Sequence, residues 1–256
     1  MDNRPIGIFD SGVGGLTALT ALKKLLPGEN IVYFGDTGRC PYGGRPVEEL
    51  RSMAADNLAF LESFDVKAIL AACGTMSANC EDILNSAPVK VINVLRPALL
   101  QMVQREGRLA VIATEASIKS GAWSVPGRDV TGIGCPKFVP LIESGHLSKD
   151  DGELMAAVEE YLAPAKGASA LLLGCTHYGL IKDTIAAYLG DETEILSASE
   201  CAASAMAEYL LSEDLDGGGG ESLFYTSGDI KVFDALAGGI LNASGCNYKN
   251  ALRAGI

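Results

Sequence analysis

The sequence predicts an α/β protein made of two similar parallel-sheet halves that face each other across a cleft. Short β-branched runs alternate with amphipathic helical stretches along most of the 256 residues. The runs are apolar throughout, as expected of strands that are buried on both faces of a parallel sheet. Polar residues that follow strands in the first half have counterparts in the second half, which indicates two halves of similar construction.

Seven runs have the length and composition of buried strands, and five longer stretches have helical periodicity. The predicted strands are residues 6–9, 31–34, 68–72, 89–94, 109–113, 170–173 and 223–226. The predicted helices are residues 46–64, 98–104, 153–162, 181–189 and 202–211. The first of these helices is the clearest. Pro46 suits its first turn, and Leu50, Leu58 and Leu61 recur on one face.

One segment interrupts the alternation of predicted strands and helices and suggests where the domains divide. Residues 213–221 (EDLDGGGGE) contain four consecutive glycines and form a predicted loop or hinge. The strand and helix predicted after it are too small to fold alone, so they should complete a domain that began earlier. We therefore expect a discontinuous first domain, residues 1–95 plus 212–256, and a second domain, residues 96–211.

Strand-end residues repeat at a nearly constant offset. Asp10 and Thr114 each follow a strand and are 104 positions apart (114 − 10), whereas Cys73 and Cys175 are 102 apart (175 − 73). Ligands of parallel sheets bind at the carboxyl ends of the strands. If the two halves face each other, the two cysteines flank one cleft from opposite sides.

Each of these residues also has a purely structural interpretation. Asp10 and Ser11 could cap the helix that begins near Leu16, a buried cysteine is commonly an inert apolar residue, and His177 could bond a helix terminus. The Gly12-Val13-Gly14-Gly15 turn fits neither a dinucleotide fingerprint nor a phosphate loop, because Thr17 replaces the last required glycine and no Gly-Lys-Ser/Thr follows. Its exposed amides could still bind a carboxylate.

Composition excludes several classes of protein. The net charge of −12 disfavours nucleic acid as a partner. No apolar run approaches the roughly 18–20 residues of a membrane span, and no secretory signal segment is present, so we expect a cytoplasmic protein. Seven cysteines, an odd number without a C-x-x-C pair, and only two histidines indicate free thiols rather than disulfides or structural zinc.

Five motifs in order, with a sixth near the end, carry a resemblance to a known family. They are GIFDSGVGGLT (7–17), YFGDTGRCPYGGR (33–45), ACGTMSA (72–78), CPKFVPLIESG (135–145), LGCTHYGLI (173–181) and FYTSGD (224–229). Together they resemble the glutamate racemase family, part of the wider aspartate/glutamate racemase group. The resemblance implies two α/β domains related by a pseudo-two-fold axis, glutamate bound between them, no pyridoxal phosphate or metal, a role in supplying D-glutamate for peptidoglycan, and commonly a homodimer.

The resemblance also implies roles for individual residues. The family's two catalytic cysteines correspond to Cys73 and Cys175, its assisting acid and histidine to Asp10 and His177, and its supporting carboxylate to Glu143. The implied substrate-binding residues are Asp10, Ser11, Tyr42, Gly43, Gly74, Thr75, Ser117, Thr176 and His177. By the same resemblance, Cys73 takes the α-proton of the D-enantiomer and Cys175 that of the L-enantiomer.

Three positions depart from the family pattern, and other functions remain open. Ser117 stands where the family usually has threonine. Gly74 replaces an asparagine and Gly179 replaces a proline; the first change bears on affinity and on the choice of substrate. An aspartate racemase would differ by a pocket one methylene shorter, which is worth only about 1–3 kcal/mol. A cysteine hydrolase would need only one reactive thiol, and a non-catalytic binding protein would need none.

Overall fold

Two parallel β-sheets form the frame of the molecule in the computed structural model, which describes residues 1–255. The first sheet has six strands in the order β10-β9-β2-β1-β3-β4, and the second has four in the order β6-β5-β7-β8. The strands are β1 (Ile6–Asp10), β2 (Ile31–Gly35), β3 (Ala68–Ala71), β4 (Lys90–Asn93), β5 (Leu109–Ala113), β6 (Val130–Gly134), β7 (Ala170–Leu173), β8 (Glu194–Ser197), β9 (Ser222–Thr226) and β10 (Leu252–Arg253).

Helices connect the strands, as parallel pairing requires. The helices are α1 (Leu16–Leu25), α2 (Val47–Glu62), α3 (Gly74–Asn79), α4 (Glu81–Leu84), α5 (Leu95–Val103), α6 (Glu115–Lys119), α7 (Phe138–Glu143), α8 (Gly152–Leu162), α9 (Lys182–Leu189), α10 (Ala198–Ser212) and α11 (Ile230–Ala243). Two 3₁₀ segments, Ala163–Ala165 and Thr176–Ile181, follow α8 and β7.

The two sheets share the same strand order over their first four strands. In the first sheet β2, β1, β3 and β4 lie side by side, and in the second β6, β5, β7 and β8 do the same. All of these neighbours pair in parallel. The prediction of two similar parallel-sheet halves is therefore confirmed. Because β1 corresponds to β5 and β3 to β7, the pairing registers make Cys73 equivalent to Cys175 and Ser11 equivalent to Thr114, one residue away from the Asp10–Thr114 match taken from the sequence.

All seven strands predicted from the sequence are present, and three further strands were not predicted. β6 (VTGIG) contains two glycines and is only half-buried, so it lacks the apolar run that identified the others. β8 begins with an exposed glutamate, and β10 is two residues long. Each of them lies at the edge of a sheet, where burial is weaker and the sequence pattern is correspondingly faint.

One apolar core joins the two sheets. It includes Ile8 and Leu70 from the first sheet and Val111 and Leu172 from the second, all of them almost completely buried. Helix α10 packs against both α1 and α5 and contributes Met206 to the same cluster. A shared, close-packed core holds the sheets in one relative position, so the residues at their carboxyl edges have a defined spacing.

The glycine-rich segment 213–221 is a loop, and it leads the chain back from the second sheet to β9, which pairs with β2. Its path is held by the buried Lys67, whose Nζ donates to the carbonyls of Leu215 (2.8 Å) and Gly217 (3.1 Å). The same ammonium pairs with the buried Glu29 at 2.6 Å. Within residues 1–255, none of the helices has the length and apolar character needed to cross a membrane.

Candidate active site

A cavity of about 210 Å³ lies between the carboxyl edges of the two sheets, and both predicted cysteines line it. Cys73 lies between β3 and α3 and directly precedes the helix, whereas Cys175 lies between β7 and the 3₁₀ segment and directly precedes that segment. The cavity is lined by Ser11, Pro41, Tyr42, Gly43, Gly44, Cys73, Gly74, Thr75, Thr114, Glu115, Cys135, Pro136, Val139, Pro140, Cys175, Thr176 and His177. The two strand-end thiols therefore reach one space from two different sheets.

Most of the residues that the resemblance implied for the site meet here, and three lie behind the cavity wall. Asp10 and Ser117 are completely buried and contact lining residues rather than the cavity itself. Glu143 lies behind His177 and is 21% exposed on its other side. These three can act on a bound molecule only through their neighbours in the cavity wall.

Cys175, His177 and Glu143 form a continuous chain of polar contacts. The Sγ of Cys175 is 3.9 Å from Nδ1 of His177, and Nε2 of the same ring is 2.6 Å from Oε1 of Glu143. Burial opposes the charged imidazolium, yet the contacts with Cys175 and Glu143 prevail and raise the pKa of His177 well above its usual value. Burial likewise works against the Glu143 carboxylate, but its hydrogen bond with His177 and its attraction to that ring lower the pKa of Glu143. These contacts therefore favour a proton on the His177 ring, next to the sulfur of Cys175.

On the other side of the site, the buried Asp10 lies near enough to Cys73 to act on its thiol electrostatically. Its Oδ2 accepts the backbone N–H groups of Gly12 (3.2 Å) and Gly15 (3.0 Å), and its Oδ1 accepts the hydroxyl of Thr176 (3.1 Å). Burial raises the pKa of the Asp10 carboxyl, although attraction to His177 and these donors oppose the rise. Burial also raises the pKa of the Cys73 thiol, and the negative charge of Asp10 adds to it. Asp10 thus organises the turn after β1 and is also a candidate proton partner for Cys73.

The glycines after β1 let the two halves of the site approach closely. A Cβ at Gly12 would overlap a carboxylate oxygen of Glu143, and a Cβ at Gly14 would lie 2.7 Å from the backbone nitrogen of His177. Val13 N–H donates to Glu143 Oε1 at 3.1 Å across the same contact. This turn therefore packs against the His177–Glu143 pair, which accounts for its glycines without a phosphate ligand.

Several hydroxyl groups line the cavity or lie directly behind its wall. Thr75 and Thr114 lie 2.9 Å apart through their Oγ1 atoms, and Thr114 in turn donates to the hydroxyl of Ser117 at 3.0 Å. Thr176 and Ser11 add two further hydroxyls. The lining contains no lysine or arginine, so a bound carboxylate would rely on hydroxyls, backbone N–H groups and the His177 ring.

The long loop after β2 closes one side of the cavity. The hydroxyl of Tyr42 donates to the buried Asp36 and accepts the side-chain amide of Asn57 at 3.2 Å. The Gly43 carbonyl accepts the N–H of Ala116 (3.3 Å), which belongs to the other half of the molecule. This loop is anchored on both halves and lines the cavity with Pro41, Tyr42, Gly43 and Gly44.

Gly74 lies at the closest approach of the two sheets. A Cβ at this position would overlap the carbonyl oxygen of Gly174, the residue before Cys175, and would lie 3.3 Å from its carbonyl carbon. A side chain at residue 74 would therefore push apart the chain segments that carry Cys73 and Cys175.

Sequence reasoning left several lining residues out of the predicted site. Thr114 was recognised as a strand-end residue but not as part of the site; its offset from Asp10 was the signal that could have added it. Cys135 and residues 136–140 follow β6, the strand that its glycines concealed. The motif at 135–145 had marked this region, yet only Glu143 was selected from it.

Comparisons with known proteins agree with this geometry. Residues 18–206 match the Asp/Glu/Hydantoin racemase family. A glutamate racemase of Shouchella clausii is 40% identical over 94% of this chain and 91% of its own length. Among solved structures, a glutamate racemase isoform of Bacillus anthracis has a TM-score of 0.90 at 29% identity, with 100% of this chain and 98% of that one covered. The Francisella tularensis glutamate racemase, solved with D-glutamate, has a TM-score of 0.86 at 34% identity over 94% and 95% of the two chains. The chain therefore belongs to the Asp/Glu/Hydantoin racemase family and, within it, to the glutamate racemases.

Proposed function

We propose that this chain interconverts L- and D-glutamate by a two-base mechanism in which Cys73 and Cys175 act on opposite faces of the substrate. The observation that carries the proposal is that Cys73 and Cys175, which follow strands of two different sheets, line the same cavity, in which Cys135 is a third thiol. Racemisation must take a proton from one face of Cα and return one to the other. One base would have to cross the substrate plane, whereas two opposed bases need not move.

The reaction of L-glutamate begins with Cys175 as thiolate and Cys73 as thiol. Transfer of the Cys175 proton to His177 gives a thiolate beside an imidazolium, and Glu143 stabilises the positive ring. The Cys175 thiolate then forms an S–H bond with the α-proton, and the C–H electron pair remains on Cα. Cys73 gives its own proton to the opposite face and becomes a thiolate, which yields D-glutamate.

The reverse reaction begins with the Cys73 thiolate. The buried Asp10 is the candidate acceptor of the Cys73 proton, because burial raises its carboxyl pKa and so makes the neutral acid accessible. The carbanion shared by both directions is delocalised into the α-carboxylate. Preorganised donors around that group, among them the hydroxyls of Ser11, Thr75 and Thr176, stabilise the developing charge.

Cys175, His177 and Glu143 also have the order of a hydrolase nucleophile, base and orienting acid. A hydrolase of this type would have no use for a second thiol facing the same cavity. Cys73 therefore distinguishes the two functions, because only the racemase gives it a role.

The biological role follows from the product. We propose that the enzyme works in the cytoplasm, needs no cofactor and supplies D-glutamate for peptidoglycan and so for cell shape. We also propose the domain division 1–95 plus 212–256 and 96–211, since the two sheets draw their strands from these segments.

We propose that the chain forms a homodimer, because Leu100 and Val103 on α5 and Leu211 on α10 leave apolar side chains exposed that a second copy could cover. Light scattering of the purified chain measures the number of copies in the assembly.

Proton exchange in D₂O tests the mechanism directly. The protein is incubated with L- or D-glutamate, and separately with each aspartate enantiomer, without added cofactor, and NMR follows loss of the α-proton. We expect deuterium at Cα together with growth of the opposite enantiomer for glutamate only. Exchange of the α-proton of aspartate but not of glutamate would show that glutamate is not the substrate.

Two single substitutions complete the test. Cys73→Ser and Cys175→Ser should each reduce racemisation by at least about 10³-fold, since either loss removes one of the two bases. Cys201→Ser, on α10 and outside the cavity, should remain active and serves as the matched control. Full racemisation by either cavity variant would show that one thiol is enough and would refute the two-base mechanism.

A further inference from the structure

A second set of metal-ligating side chains lies beside the acid/base residues. The Sγ of Cys40, a carboxylate oxygen of Glu143 and a ring nitrogen of His177 all lie within 4.8 Å of one another. Cys40 does not line the substrate cavity and has no part in the proposed proton transfers. We propose that Cys40, Glu143 and His177 form a binding site for a thiophilic divalent cation such as Zn²⁺, and that an ion bound there switches racemisation off.

The three side chains are the types that zinc selects. Zn²⁺ bonds thiolate sulfur at about 2.3 Å, imidazole nitrogen at about 2.0–2.1 Å and carboxylate oxygen at about 2.0–2.2 Å. His177 and Glu143 are now joined at 2.6 Å, so the carboxylate would turn from the ring to the ion. Cys40 would lose its proton to solvent and bind as thiolate. Three protein ligands leave a fourth position for water.

The ion has its own route to this site. Cys40 and Glu143 also line a separate cavity of about 340 Å³, on whose wall lie Val13, Pro140 and Phe233. Asp229 contributes a carboxylate to the same wall. A cation can therefore approach Glu143 from the side away from the substrate cavity, and substrate need not leave for it to bind.

The two ring nitrogens of His177 couple the ion to catalysis. Nδ1 lies beside Cys175, whereas Nε2 faces Glu143. An ion on Nε2 displaces to solvent any proton that this nitrogen shares with Glu143, so the ring can no longer hold two protons. The imidazolium that balances the Cys175 thiolate is then lost. We expect kcat to fall while KM changes little.

Cobalt spectroscopy tests binding independently of activity. Chelator-treated protein is titrated with Co²⁺, and a near-ultraviolet band from thiolate-to-metal charge transfer is expected at one ion per chain. Cys40→Ser should abolish most of that band, whereas Cys201→Ser should retain it. A band of unchanged intensity in Cys40→Ser would place the ion on other thiols and overturn the proposal.

Zinc inhibition tests the second part of the proposal, that a bound ion stops racemisation. This part rests on the proposed function, whereas ion binding does not. In a buffer that fixes free Zn²⁺, wild-type racemisation should fall and recover on chelation. Cys40→Ser should require at least about tenfold more free zinc for the same loss, while Cys201→Ser behaves as wild type. Equal zinc sensitivity of Cys40→Ser and wild type would show that zinc acts on the catalytic thiols instead. If Cys40→Ser does not fold, by circular dichroism, Cys40→Ala takes its place in both measurements.

Discussion

Replacing Gly74 by alanine tests whether the spacing of the two thiols controls the reaction. The new methyl group would overlap the carbonyl oxygen of Gly174 and lie 3.7 Å from the Cα of Cys175. Both neighbours are backbone, so they cannot rotate away as a side chain could. The ends of β3 and β7 must separate, and Cys73 and Cys175 move with them.

The displacement should reduce both the stability of the protein and the rate of the reaction, and the size of each effect can be given. Overpacking of a close-packed contact typically costs about 1–3 kcal/mol of unfolding free energy, which in a protein of this size lowers Tm by roughly 2–4 °C per kcal/mol. A displacement of about 1 Å at a catalytic group can cost about 10²-fold in rate. We therefore expect kcat/KM of Gly74→Ala to fall by about 10²-fold in both reaction directions.

Circular dichroism with coupled-enzyme or NMR rate measurements provides the assay. Gly28→Ala is the matched control for stability, because a Cβ there meets nothing within 4 Å. Gly74→Asn should fail in the same way as Gly74→Ala, even though asparagine is the residue that the family pattern has at this position. Wild-type kcat/KM and Tm in Gly74→Ala would refute the reasoning, since the sheets would then not need glycine at their closest approach.

Two further predictions concern ion pairs. Lys67→Met removes the ammonium that pairs with Glu29 and holds two carbonyls of the 213–221 loop, so we expect a loss of about 3–5 kcal/mol in urea unfolding; a loss under 1 kcal/mol would contradict it. Glu143→Gln should cost about 1.5–3 kcal/mol near pH 5–6, above the ordinary pKa of glutamate and below that of histidine, where both members of the pair contribute fully. The deficit should shrink as pH falls through the lowered pKa of Glu143 and as pH rises through the raised pKa of His177; a deficit independent of pH would refute the charged pair.

The alternation of apolar strands and amphipathic helices was sufficient to predict the layered parallel fold and most of the elements. Parallel strands end at a common edge, so the position of a residue after a strand already places it near the site. That is why Cys73 and Cys175 could be paired from their offsets alone. β6 and β8 were not predicted because an edge strand needs no continuous apolar run. Since β6 was missed, Cys135 and most of the cavity-lining residues that follow it were missed as well.

The sequence by itself determined the fold class, the strand-end cysteines and, through its motifs, the family. Only the tertiary structure decided which side chains touch. It placed Glu143 on His177 across a sequence separation of 34 residues, brought Cys40 to the same pair, and showed that Gly12, Gly14 and Gly74 are sites of close approach. Local preferences act over a few residues and can be read along the chain, whereas these contacts depend on how one shared core sets two sheets against each other.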